Sequence, residues 1–205
     1  MSGIQSVTLL AGGLMLAASM ARCEEERPPS VPGELIVKFR DSSPGGEAMA
    51  GASSPADEAV ERYLAAASRE IGIPLAAESL TSGGELLLEI DQGELIARLL
   101  AKLGTDERVA AAEEIPVARE TLEVPPRRVR VRFASGRMKS AEIETFAREL
   151  GRELGFGLVS RKAGRSETVL SVDLAALTEE LLSRLEEHPD VEYVQRNAVL
   201  GTFGG

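Results

Sequence analysis

The run "LLAKLGTDERVAAAEE" (residues 99–114) lies over "LLSRLEEHPDVEYVQR" (181–196) without a gap, at a constant offset of 82 residues. The register continues upstream through Leu95 over Leu177 and Asp91 over Asp173, and "ELLLEID" and "ETVLSVD" stay in frame. One residue of slip in a glycine loop brings "EIGIPL" over "ELGFGL", and "ELIVKF" near the front answers "RVRVRF". A chain made of two copies of one module has to bury its apolar residues in two similar ways. The fold question becomes that of one unit, read twice.

The unit reads strand, helix, strand, strand, helix, strand. In the second copy Val129, Val131 and Phe133 alternate with Arg128, Arg130 and Arg132, the period of a strand with one buried face. Ser140 is expected to cap a helix carrying Ile143, Phe146, Leu150 and Leu154 on one stripe. "FGLVSR" and "ETVLSVD" form a hairpin across Ala163-Gly164. Asp173 then caps a helix with Leu174, Leu177, Leu181 and Leu185, and "VEYVQ" closes the unit. The first copy repeats this with Leu35, Val37 and Phe39 in its strand and Val60, Tyr63, Leu64, Ala67 and Ile71 in its helix. Its first loop, residues 41–56, is long and rich in Gly, Ser and Pro and reads as mobile, and its last strand reads as decayed to "VAAAEE".

This order predicts an α+β fold: two tandem ferredoxin-like βαββαβ modules, each an antiparallel sheet with two helices on one face. The expected boundaries are a signal peptide at 1–22, a linker at 23–32, a diverged module at 33–120, a linker at 121–127, the second module at 128–200 and a tail at 201–205. Pro125 and Pro126 stiffen the central linker, and the modules are expected to fold on their own. With 43% hydrophobic residues but only 3% aromatics and no Trp, small aliphatic cores suit this plan.

The N-terminus contains an apolar run from Val7 to Met20 that is short for a membrane span and gives way to an acidic stretch, as in an export signal. Ser19-Met20-Ala21 offers a cleavage site for a soluble exported protein. Met20-Ala21-Arg22-Cys23 loosely resembles a lipobox, with Arg22 out of place, which makes Cys23 the candidate lipidation site and the only route to a membrane. That single cysteine has no partner for a disulfide within the chain.

A net charge of −10 argues against general nucleic-acid binding, and the central strands lack the exposed aromatic residues on which bases would stack. Residues 34–120 hold 8 basic and 17 acidic side chains, whereas 125–205 hold 13 and 12. The copies therefore differ in charge, and Arg128, Arg130 and Arg132 form either a plain solvated row or a surface for an acidic partner. No cofactor or metal site is expected, because one Cys and one His do not make a ligand set. His188, the only histidine, reads as a surface residue at a helix end. With no other histidine for a catalytic triad, the chain is not expected to be an enzyme.

At "HPDVEYVQRN", on the last helix-to-strand join, the sequence resembles the propeptide domain of subtilisin-like serine proteases, and "VPGELIVKFR" (31–40) looks like the start of many such propeptides. The resemblance spans residues 33 to 203 as a tandem pair. It implies a stand-alone inhibitor or folding chaperone whose partner is a subtilisin-like serine protease, bound through a sheet face and a product-like C-terminal tail, with the second module as the binding unit. Carried onto this chain, it assigns protease contact to Val191, Tyr193 and Val194 of the motif and to Leu200, Gly201, Thr202 and Phe203 of the tail. Phe203 would fill the primary specificity pocket and Leu200 the apolar pocket beyond it. The alternative is a noncatalytic envelope protein–protein interaction module on the same fold.

Overall fold

The computed structural model describes residues 30–81, 83–116 and 126–198. In the first copy, β1 (Ser30–Phe39) is followed by α1 (Pro44–Ala50), α2 (Glu58–Ile71), β2 (Leu75–Leu80), β3 (Glu85–Ile90), α3 (Gln92–Leu103) and β4 (Val109–Ile115). The second copy runs β5 (Arg128–Phe133), α4 (Ser140–Leu154), β6 (Leu158–Lys162), β7 (Glu167–Val172), α5 (Leu174–Glu186) and β8 (Val191–Ala198). The fold is α+β, with two four-stranded antiparallel sheets and five helices among the described residues.

The strands form where apolar side chains alternate. Leu35, Val37 and Phe39 of β1, Leu86, Leu88 and Ile90 of β3, and Val129, Val131 and Phe133 of β5 all point into the core. Each long helix buries a 3.6-period stripe, for example Val60, Leu64, Ala67 and Ile71 of α2. Both α2 and α4 stop at a glycine in the left-handed region, Gly72 (φ 80°) and Gly155 (φ 81°), where a side chain would be strained. Asp91 and Asp173 cap α3 and α5 by accepting the N–H groups of Glu94 and Ala176 at 3.0 and 3.1 Å. Helix α4 begins one residue away from expectation: Lys139, not Ser140, is its cap residue, and its N–H donates to the Glu142 carboxylate at 2.7 Å.

Two further expectations are corrected. The loop read as mobile holds α1, whose Gly45, Gly46 and Met49 are buried. A Cβ on Gly46 would stand 2.0 Å from the Arg40 carbonyl oxygen, so the turn depends on a close approach that periodicity does not encode. The strand read as decayed is a full partner of β5, from Val109 opposite Phe133 to Ile115 opposite Arg128.

The larger difference is in connectivity. The sheet orders are β2-β3-β1-β8 and β4-β5-β7-β6. Neither copy closes its own sheet, because the copies trade their last strands. The preceding helices go with them: α5 lies on β1 and β8, and α3 lies on β4, β5 and β7. Physically, β4 and β5, consecutive in the chain, become the antiparallel neighbours that consecutive strands commonly are. Pairing them brings together residues few positions apart, at a small entropic cost.

Candidate functional site

The first sheet presents the motif that sequence analysis singled out. β8 is its outer strand, paired to β1 with Val191 opposite Phe39, Tyr193 opposite Lys38 and Val194 opposite Val37. A register shift at this end places the motif residues on different sides of the sheet. Val191 is buried and Val194 packs against the core, so these two hold the strand in place. Tyr193 is 40% exposed on the face away from the helices. Its hydroxyl donates to the Glu85 carboxylate, which pushes the phenol pKa above its ordinary range. Of the three residues, only Tyr193 is exposed. Leu200, Gly201, Thr202, Phe203 and Cys23 lie outside the described residues.

Around Tyr193 the helix-free face alternates apolar and charged groups. Ile36 stands opposite Leu87, and Lys38 opposite Glu85. The Lys38 ammonium donates to the Gly83 carbonyl at 2.6 Å, and the Asn197 amide donates to the Glu34 carboxylate at 2.6 Å. At one end of the face, burial raises the Glu89 carboxyl pKa, helped by the negative charges of Glu78, Glu34 and Asp91. The face is thus a small apolar centre with an acidic rim.

The corresponding face of the second sheet carries the arginine row. Arg130 pairs with Glu113 at 3.0 Å and Arg132 with Glu167 at 3.1 Å. Two of the three arginines therefore meet their acidic partners inside the molecule, and Glu113 comes from the other copy.

His188 is not the surface residue expected. Its side chain is 11% exposed, Nδ1 accepts the Asp190 N–H at 3.2 Å, and the buried Nε2 lies 3.8 Å from the Glu70 carboxylate. The exchange causes this, by setting the end of α5 against the end of α2. Nearby, Arg40 donates to the Val191 carbonyl at 3.0 Å, and the Tyr63 hydroxyl donates to Asp190 at 3.1 Å. At the equivalent place in the other unit, Arg108 stacks 4.6 Å from the Phe146 ring centre and donates to Glu149 at 2.9 Å. Sequence reading did not single out Arg40, Asp190, Arg108 or Glu149. The available signal was an Arg and an Asp at one repeat position.

Among the described residues no group of His, Cys, Asp and Glu side chains could hold a metal ion, and no helix is long and apolar enough to cross a membrane. Two grooves, of about 760 and 660 Å³, lie at equivalent places, between α2 and β2 and between α4 and β6. Comparison of the chain with protein-family models, curated proteins and solved structures found no match.

Proposed function

We propose that the chain is an exported, propeptide-like inhibitor and folding aid of a subtilisin-like serine protease, acting without catalysis or cofactor of its own. In this reading both units are ferredoxin-like, each borrowing its fourth strand from the other copy, and any membrane contact is through a lipid on Cys23. The observation that carries the reading is the position of β8: the strand bearing "VEYV" is an outer strand, and the chain passes straight from it into the segment containing Leu200 and Phe203.

The exchange changes which surface would dock. The tail follows a strand of the first sheet, so the docking face consists of Tyr193 with Ile36 and Leu87 of the first copy. Residues 128–200 alone do not contain it. The tail would lie extended in the substrate cleft, adding main-chain hydrogen bonds as an added strand does.

The test is a titration of the full chain against several subtilisin-type proteases, with slow-dissociating inhibition expected. Burying a Leu or Phe side chain gives about 1.5 to 3 kcal/mol, and each 1.4 kcal/mol is roughly tenfold in affinity. Leu200→Ala or Phe203→Ala should therefore weaken inhibition by about ten- to a hundredfold, whereas removing Gly204 and Gly205 should cost little. Rapid degradation of the intact chain without inhibition would overturn the proposal. Unchanged inhibition by both alanine variants would remove the tail from it.

A further inference from the structure

We propose that Arg108 and Asp190, which occupy one and the same position of the two copies, decide which copy's last helix and strand docks on which sheet. The inference stands apart from the inhibitor reading. Each residue directly precedes the strand that is traded, β4 for Arg108 and β8 for Asp190. The receiving surfaces are equivalent too. Aligning the helix-ending glycines, Gly72 and Gly155, puts Tyr63 of α2 over Phe146 of α4, and each ring meets a strand phenylalanine edge-on: Phe39–Tyr63 at 5.1 Å and 81°, Phe133–Phe146 at 5.2 Å and 85°. The same alignment sets Ala66 over Glu149.

The two receivers differ in what they accept. Tyr63 offers a hydroxyl, and Asp190 accepts its hydrogen bond at 3.1 Å. Phe146 offers only a ring face, whose negative quadrupole suits the Arg108 guanidinium, and Glu149 adds a carboxylate at 2.9 Å to the one that Asp106, two residues before Arg108, gives it at 2.8 Å. In a self-contained arrangement, Asp190 would meet a ring without a donor and a second carboxylate. Arg108 would keep an aromatic face in Tyr63 but would find Ala66 where Glu149 had been. Both mismatches oppose the self-contained form. The strands agree in sense: Arg130 meets Glu113 of β4, whereas the corresponding residue of β8 is Gln195.

The test uses the full chain in a Cys23→Ser background with cysteine pairs that report the pairing of β8. Lys38→Cys/Tyr193→Cys reports the exchanged form, in which those positions are opposite each other. Arg132→Cys/Tyr193→Cys reports the self-contained form, because Tyr193 is the equivalent of Ala111, which stands opposite Arg132. With the parent sequence the first pair should crosslink under mild oxidation and the second should not. Arg108→Asp/Asp190→Arg should move the ratio toward the second pair by about tenfold or more, the scale of couplings between contacting groups. Should that variant fold poorly by circular dichroism, Phe146→Tyr/Glu149→Ala makes the receivers alike and should still reduce the preference severalfold. A parent that crosslinks through the second pair, or an unchanged ratio in a folded variant of either kind, would overturn the assignment.

Discussion

Glu89 and Asp106 show how this chain places carboxylates to opposite effect. Glu89 sits on the helix-free face of the first sheet, where burial and then Glu78, Glu34 and Asp91 raise its pKa. A group with a raised folded-state pKa is at ease when protonated, so stability is lost as pH rises through that value. Glu89→Gln should therefore be more stable than the parent at neutral pH, with the difference fading below the usual carboxylate range, as measured by urea unfolding at about pH 7 and about pH 4. A parent at least as stable as the variant at neutral pH would contradict this. Asp106 has the reverse sign: hydrogen bonds from Arg108 hold its carboxyl below the usual range. Its contribution is present at neutral pH and is lost as pH falls through the folded-state value.

At the level of elements, one buried hydroxyl ties α5 to the first copy. Buried Thr178 accepts the Gly33 N–H at 2.7 Å and donates to the Leu174 carbonyl at 2.6 Å. Thr178→Val keeps the shape but leaves a buried N–H without a partner, a loss of about 1–3 kcal/mol. Thr178→Ser should retain most of the stability in denaturant titrations, and a loss for Ser with none for Val would show that the methyl group, not the hydrogen bond, matters. The elements themselves were legible in sequence, because alternating Leu35, Val37 and Phe39 or a glycine ending a helix are local signals. The exchange was not. Leu99, Leu103 and Val109 match Leu181, Leu185 and Val191 residue for residue, so on apolar grounds either segment fits either sheet. What separates them, a charge at position 108 or 190, has meaning only once the receiving aromatic ring is known. The burial of His188 and the split roles of Val191 and Tyr193 were hidden for the same reason, since each depends on a neighbour distant in sequence, and helix α1 because its turn depends on a close backbone approach at Gly46. Which strand carries the candidate docking residues could be read, but which sheet receives it could not.

For the whole molecule, the exchange replaces two autonomous modules by one body whose two units are completed in each other. Each sheet takes three strands from one copy and the fourth from the other, so either copy alone would expose an open sheet edge and lack a helix over part of its core. The linker runs from Pro116 to Pro126. If a protease site is engineered into it and cut, both halves should remain together as one folded particle by light scattering and circular dichroism. Separation does have a cost. A short linker gives an effective concentration on the order of millimolar, so at about micromolar protein the cut should lower stability by about 4 kcal/mol. The cut chain should also acquire an unfolding midpoint that rises with protein concentration, whereas that of the uncut chain should not move. Two folded pieces that separate on dilution, with midpoints independent of concentration, would mean that each copy closes its own sheet in solution.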